Sequence, residues 1–293
     1  MTGYIDAHHH LWDLSAVNYP WLMEKGAVRF FGDPAPIQRN YLIDEFRSDA
    51  AAEGIVASVH IQVGAANPWE EAAWVQSVAD DNPDWPMAQV VFCDLTADDL
   101  AARLDQFQSL PTVRGVRQIV GRAPGEDAIT GTNDLLDDPR FLQGLRTAAE
   151  RGLSFDLQLI PELMEKTARV LRQVPELKVA LCHAGSPHDR SDAGLKSWAS
   201  SLKTLSSLDN VTCKLSGLGM FDHSWTQDRI APIVLTCLDQ FGADRCMFGS
   251  NFPVDSLYSD YRTLFTAIEQ IVPREFHDHV FRKTAAEFYN IHP

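Results

Sequence analysis

Short apolar, β-branched runs recur along the chain at Tyr4 to His8, Ile55 to Val63, Met87 to Leu95, Val113 to Val120, Leu153 to Ile160, Lys178 to His183, Val211 to Leu215 and Cys246 to Gly249. Most are near-continuously hydrophobic instead of alternating, the pattern of parallel strands covered on both faces. The intervals, roughly 25 to 50 residues, leave room for a loop, a helix and a return. Helical punctuation fills them. Thr96 is placed to cap a helix in which Leu100, Leu104 and Phe107 share one face. Asp138-Pro139 reads as an N-cap with proline at the first helical position, and Gly152 stops that helix. Pro161 opens a helix striped by Leu163, Val170, Leu171 and Val174, while Gly54 and Gly242 fall at other helix ends. Arg274 to Asn290 reads as a final helix with Phe276, Val280, Phe281 and Phe288 on its apolar side. Eight strands alternating with helices, with no interrupting linker, predict an α/β fold: a (β/α)8 barrel forming one domain over 1–293.

One segment breaks this rhythm. Leu11 to Asn40 contains Tyr19-Pro20-Trp21-Leu22, Phe30-Phe31-Gly32 and Asp33-Pro34-Ala35-Pro36 with little helical period. A connection of that length is expected to work as a lid or binding loop. It leaves the C-terminal end of the first strand, where barrel active sites lie. Its aromatic residues have two readings, stacking on a substrate ring or sealing the barrel mouth.

Composition narrows the function. With 25 basic and 40 acidic residues the net charge is −15, which argues against nucleic acid or an anionic membrane surface as partner and leaves a small molecule. No apolar run is long enough to span a bilayer, and the first residues lack the basic and apolar regions of a signal peptide, so a cytoplasmic location is expected. Cys93, Cys182, Cys213, Cys237 and Cys246 are scattered and odd in number, which points to reduced core residues instead of a disulfide framework or thiolate zinc site.

In a closed barrel, polar residues at all strand ends converge on one mouth. The first strand brings His8 and His10 to one side and His9 to the other. Paired imidazoles can hold a divalent ion or polarise a carbonyl; a histidine triplet can also be tag debris, but the flanking Ile5 and Leu11-Trp12 look native. Later strands bring His60 and Gln62, then Arg114, Arg117 and Gln118, then Asp156 and Gln158, then His183, Lys214 and Asn251. His60 reads more readily as a core histidine than as a ligand, Arg114 as an ion-pair residue, and Lys214 as either a substrate-side group or a buried counter-ion for Asp6. Arg117 offers a planar fork of donors to a carboxylate or hydroxyl pair.

Ile-Asp-Ala-His-His-His-Leu-Trp, Tyr-Pro-Trp-Leu, Arg-Gly-Val-Arg-Gln, Cys-His-Ala-Gly, Lys-Leu-Ser-Gly and Phe-Gly-Ser-Asn-Phe-Pro-Val-Asp stand in an order that resembles the amidohydrolase superfamily. More narrowly, they resemble its branch of sugar-acid lactonases and 2-pyrone-4,6-dicarboxylate lactonase. The resemblance implies a barrel hydrolase in which His8, His10 and His183 are metal-binding or carbonyl-polarising histidines and Arg117 holds substrate. It leaves open a divalent metal, zinc or manganese, or metal-free catalysis, and it leaves a homo-oligomer open. The superfamily's eighth-strand aspartate, metal ligand and general base, is Asn251 here, and an amide can take no proton in that role. Asp255, His183 and His60 are the alternative bases. The expected reaction is hydrolysis of a small sugar-acid lactone, such as a fucono- or rhamnono-lactone. Arg117 and Gln158 would hold the substrate, Trp12, Tyr19 and Trp21 would cover its ring, and His60 and Lys214 would lie close by. Two alternatives are a metal-dependent decarboxylase of an aromatic or unsaturated acid and a non-catalytic ligand-binding barrel.

Overall fold

The computed structural model describes residues 3–26, 29–122 and 133–292. Its strands are β1 (Tyr4–His9), β2 (Ile55–Ile61), β3 (Met87–Phe92), β4 (Val113–Ile119), β5 (Ser154–Gln158), β6 (Val179–Leu181), β7 (Val211–Leu215) and β8 (Cys246–Phe248). They form one sheet in chain order, and every neighbouring pair is parallel. The helices that return the chain are α1 (Pro20–Met23), α2 (Ile43–Ala51), α3 (Pro68–Asp81), α4 (Leu100–Gln108), α5 (Pro139–Glu150), α6 (Met164–Leu171), α7 (Asp192–Ser206), α8 (Gln227–Phe241), α9 (Tyr261–Ile271) and α10 (Thr284–Tyr289). The sheet curls until its edges meet. His10 N donates to Phe252 O at 2.8 Å, and Asn251 N donates to His8 O at 2.7 Å. Gly249 allows that approach, since a Cβ there would lie 2.6 Å from the His8 Cβ. The result is the (β/α)8 barrel that the alternation of strands and helices predicts.

Alternation along the strands sorts the core into two layers. Ile5, Ala7, Ala57, Val59, Ile61, Ala88, Val90, Ala180 and Met247 pack together from strands on opposite sides of the barrel and therefore fill its lumen. Tyr289 and Ile291 close this cluster from below. Residues of opposite parity, such as Val91, Val116, Phe155, Leu157, Cys213 and Leu215, join the larger cluster under the helices. All five cysteines are free and buried.

β1 departs from simple alternation. Asp6 pairs with Ser58 but His9 with His60, so three residues on β1 span what two span on β2. This bulge lets Ala7 and His8 both turn inward. Asp6 turns outward and accepts from His8 N, Ser250 N and the Tyr261 hydroxyl of α9, each at 3.0 Å. The outward turn corrects one expectation, because Lys214 cannot serve as counter-ion to Asp6. It donates instead to Asp156 Oδ2 at 2.5 Å and Ala7 O at 2.8 Å, and the Tyr289 hydroxyl donates to the same carboxylate.

Three helix boundaries also differ from the sequence pattern. α4 starts after Asp99, and Thr96 instead donates to Asp94 Oδ1 within the preceding turn. Pro161 opens a short 3-10 turn, Pro161–Leu163, ahead of α6. The tail is three pieces: a 3-10 turn Arg274–Phe276, a π-helical turn His279–Lys283 and α10. The widened turn swings the last helix so that Tyr289, and not Phe288, is the fully buried ring beneath the lumen. Asp138 caps α5 as its sequence indicates, accepting from Arg140 N.

Candidate active site

A cavity of about 720 Å³ opens at the C-terminal ends of the strands. His10, Arg117, Gln158, His183 and Asn251 reach it from β1, β4, β5, β6 and β8 or the turns just after them. The Leu11 to Asn40 connection supplies Trp12, Trp21, Phe30 and Phe31 on the other side. Trp12 and Trp21 meet edge to face at 6.1 Å, Trp21 and Phe31 at 5.9 Å, and Phe30 and Phe31 at 5.2 Å. The long connection therefore forms one wall of the site.

Three imidazoles cluster at the floor. The His8 ring lies 4.6 Å from that of His183 and 5.2 Å from that of His10, centroid to centroid. His183 and Asn251 both hold left-handed backbone, at φ 54° and 58°, a conformation that non-glycine residues adopt at a cost of about 1 kcal/mol or more. Gly217 makes room for the first of these, because a Cβ there would sit 2.3 Å from His183 Nδ1. His9 faces outward and stacks on Phe46 of α2 at 3.9 Å, so the triplet is built into the barrel wall and is not a tag.

Burial keeps these rings neutral. It drives His8 and His183 well below the ordinary histidine range, and Arg117 adds to the effect at His183. His10 falls to about 3 through burial and then Arg117. Because His10 Nδ1 donates to Ile61 O at 2.8 Å, its Nε2 carries a lone pair, 3.2 Å from Asn251 Oδ1. The complementary partner for that lone pair is the Asn251 Nδ2 group. A half-turn of the amide brings it to the same place, and it is otherwise buried without a partner. Asp255, behind Asn251, is also buried with both oxygens unpartnered, and burial pushes its carboxyl up to about 8.

Arg117 is the buried cation of the floor. Its Nη1 donates to Gln62 O at 3.2 Å and its Nη2 to Gln158 Oε1. Among the described residues it forms no ion pair with a carboxylate. A desolvated guanidinium without a counter-charge is costly in an empty site and favourable once an anion forms beside it.

Several residues singled out in the sequence lie elsewhere. His60 projects from the outer face of β2, where its Nδ1 accepts from Leu11 N at 3.1 Å and its Nε2 lies 3.7 Å from Glu71 Oε1 under α3. The strand ends at Ile61, so Gln62 escapes that parity and lines the cavity. Lys214 is fully buried in its pair with Asp156, below the cavity floor. Tyr19 and Asp255 are buried behind the lining, and His8 sits behind His10 and His183. Arg114 donates to the backbone carbonyls of Pro111 and Val113 instead of forming an ion pair. Phe92 and Met220 line the site although neither stood out in the sequence. Phe92 was readable in principle, because it continues the inward parity of Ala88 and Val90.

No group of three histidine, cysteine, aspartate or glutamate side chains among the described residues converges as metal ligands. His10 Nε2 is directed at Asn251, and among the described residues no carboxylate joins the imidazoles. This donor set does not fit a divalent ion, and no step below is routed through one.

Comparison with known proteins places the chain. It is 36% identical over 293 residues to the uncharacterized protein y4mH of Sinorhizobium fredii, covering 98% of each chain. It is 28% identical to an L-fucono-1,5-lactonase of Burkholderia multivorans, over 91% of this chain and 87% of that one. A crystal structure of an amidohydrolase from Burkholderia multivorans with bound zinc superposes with a TM-score of 0.84 at 25% identity, over 99% of this chain and 100% of that chain. The amidohydrolase family pattern matches residues 5–291, from the strand that carries the histidines to the tail that closes the barrel, and the chain belongs to that family of hydrolytic enzymes.

Proposed function

We propose that this protein hydrolyses a small lactone of the sugar-acid kind, in carbohydrate breakdown. The observation that carries the reading is Arg117: a buried cation at the cavity floor, with no carboxylate partner among the described residues and flanked by neutral imidazoles. The lactonase activity of the Burkholderia multivorans relative supports it. Five unpaired, buried cysteines suit a reducing compartment such as the cytoplasm.

The chemistry follows from the donors. The lactone carbonyl oxygen rests on the N–H groups that Arg117 does not spend on Gln62 and Gln158, with Gln158 Nε2 as a second donor. His183, donating from Nδ1 to Ser216 Oγ at 3.1 Å, presents the Nε2 lone pair to water. Water oxygen bonds to the carbonyl carbon, its proton passes to His183, and the oxyanion forms on Arg117. That new negative charge offsets the guanidinium that opposes His183 protonation, so the base strengthens as the transition state develops. Collapse of the intermediate breaks the ring C–O bond, and His183 returns the proton to the leaving alkoxide. His8 and His10 pack the base in place. Asp255 is protonated near neutral pH and takes no part as a base.

The test is a pH-indicator assay of the purified protein on five- and six-membered lactones of sugar acids. Acid release with turnover is expected on at least one. Release of carbon dioxide from aromatic acids, with no ring opening on any lactone, would overturn the proposal.

A further inference from the structure

Asp255 is a buried acid that the hydrolytic steps leave unused. It is 2% exposed, lies outside the cavity lining, and has no hydrogen-bond partner for either oxygen among the described residues. Arg190 is the charged side chain that acts on it, but Arg190 Nη2 donates to Leu218 O at 2.8 Å and no hydrogen bond joins the two. Gly219 closes another side, since a Cβ there would lie 3.3 Å from Asp255 Oδ1. The hydrogen-bonding group set against the carboxyl is the amide of Asn251.

The direction of the hydrogen bonds around that amide is fixed from its far end. Ile61 O can only accept, so His10 Nδ1 carries the ring proton and His10 Nε2 presents a lone pair. That lone pair takes the Asn251 Nδ2 group, which turns Oδ1 to the opposite side, toward Asp255. Two acceptors would meet there unless the acid carries its proton. The backbone of Asn251 cannot relieve the contact, because its N donates to His8 O at 2.7 Å and its O accepts from Asp255 N at 3.2 Å. We propose that Asp255 is a positioning residue: its neutral carboxyl donates to Asn251 Oδ1 and so holds Nδ2 on His10 and the three imidazoles in one arrangement. Burial, which pushes the carboxyl up to about 8, keeps that proton in place near neutral pH. An amide at the end of β8 suits this order, since it accepts on one side and donates on the other. Reversed, Oδ1 would face the His10 lone pair at 3.2 Å and push on the rings that pack the His183 base. The consequence for catalysis rests on the lactonase reading; the order of the hydrogen bonds does not.

Two spectra of the unmodified protein near pH 7 test the order without substrate. Isotope-edited infrared spectroscopy should show the carbonyl band of a protonated acid that is missing from the Asp255→Asn variant, and ¹⁵N NMR should show His10 protonated at Nδ1 alone. Kinetics test the consequence. Outer partners that orient a site histidine are worth about 10- to 100-fold in activity at metal sites, and Asp255→Leu should lose about tenfold in kcat with KM changed by less than about threefold. Asp255→Asn, which offers an N–H in place of the O–H, should keep kcat within a few-fold. Asp255→Leu added to Asn251→Leu should cost nothing further, because the acid acts through the amide. A carboxylate band from Asp255, a proton on His10 Nε2, or a parent-like kcat in a folded Asp255→Leu protein would overturn the proposal. If no lactone is opened, the lactonase reading fails while the two spectra still decide the order of the hydrogen bonds.

Discussion

Replacing Arg117 with methionine tests the catalytic floor most informatively. Methionine occupies the path of the aliphatic stem and removes the charged fork. The fold loses two hydrogen bonds, to Gln62 O and Gln158 Oε1, worth roughly 1.5–3 kcal/mol each for a charged donor. Against that loss stands relief from holding Arg117, 7% exposed as a residue, with no carboxylate partner among the described residues, a desolvation penalty of several kcal/mol. The two effects oppose each other at similar size, so urea midpoints should change little. Catalysis has no such offset. Deleting an oxyanion donor costs about 10²–10³ in kcat, or roughly 2.7–4 kcal/mol. Lysine at the same position keeps a charge but not the fork and should fall between the two. Because Arg117 helps to depress His10 and His183, both rings should titrate at higher pH in the methionine variant, which histidine NMR reads directly. A parent-like kcat in a folded R117M protein would refute the assignment.

Other consequences follow from the buried titratable groups. His8, His9, His10 and His183 stay neutral in the fold, so below the unfolded histidine pKa of about 6.5 the unfolded chain gains protons that the native state does not, at roughly 1.4 kcal/mol per pH unit for each ring. Asp6 and Asp255, raised to about 6 and about 8, act oppositely: their stabilisation is complete below the unfolded carboxyl pKa and fades as pH rises through those values. Between pH 4 and 6 the balance of four rings over two carboxyls should make stability rise by roughly 3 kcal/mol per pH unit; a flat urea-denaturation profile there would contradict the burial argument. Asp255→Asn should keep kcat near pH 7 within a few-fold, whereas a loss of a hundredfold or more would restore Asp255 as the base. Dialysis against a chelator should leave kcat unchanged within twofold; stoichiometric zinc whose removal abolishes turnover would count against the ligand argument.

The barrel was legible because strands buried on both faces must be hydrophobic throughout, so their runs stand out from the amphipathic helices. That same continuity weakened the parity of β3: Met87 to Leu95 is broken only by Gln89 and Asp94, so Phe92 could be placed at the cavity only through the inward parity it shares with Ala88 and Val90. The β1 bulge left no trace in composition, and it decides that Asp6 turns outward while His8 turns inward. The partner of Lys214 was then out of reach, because Asp156 is on another strand and Tyr289 is at the end of the chain. His183 and Arg117 were readable as polar residues at the ends of apolar runs. His60, which read more readily as a core histidine than as a ligand, lies one residue before its strand ends, and parity places it under α3.

The most direct test of water attack on a carbonyl held by Arg117 is the position of the oxygen that water contributes. Hydrolysis of a turned-over lactone in ¹⁸O-labelled water, followed by mass spectrometry of the hydroxy acid, should place one label in the carboxylate and none on the alcohol carbon. Label on the alcohol carbon, or a product that has lost carbon dioxide, would contradict the mechanism.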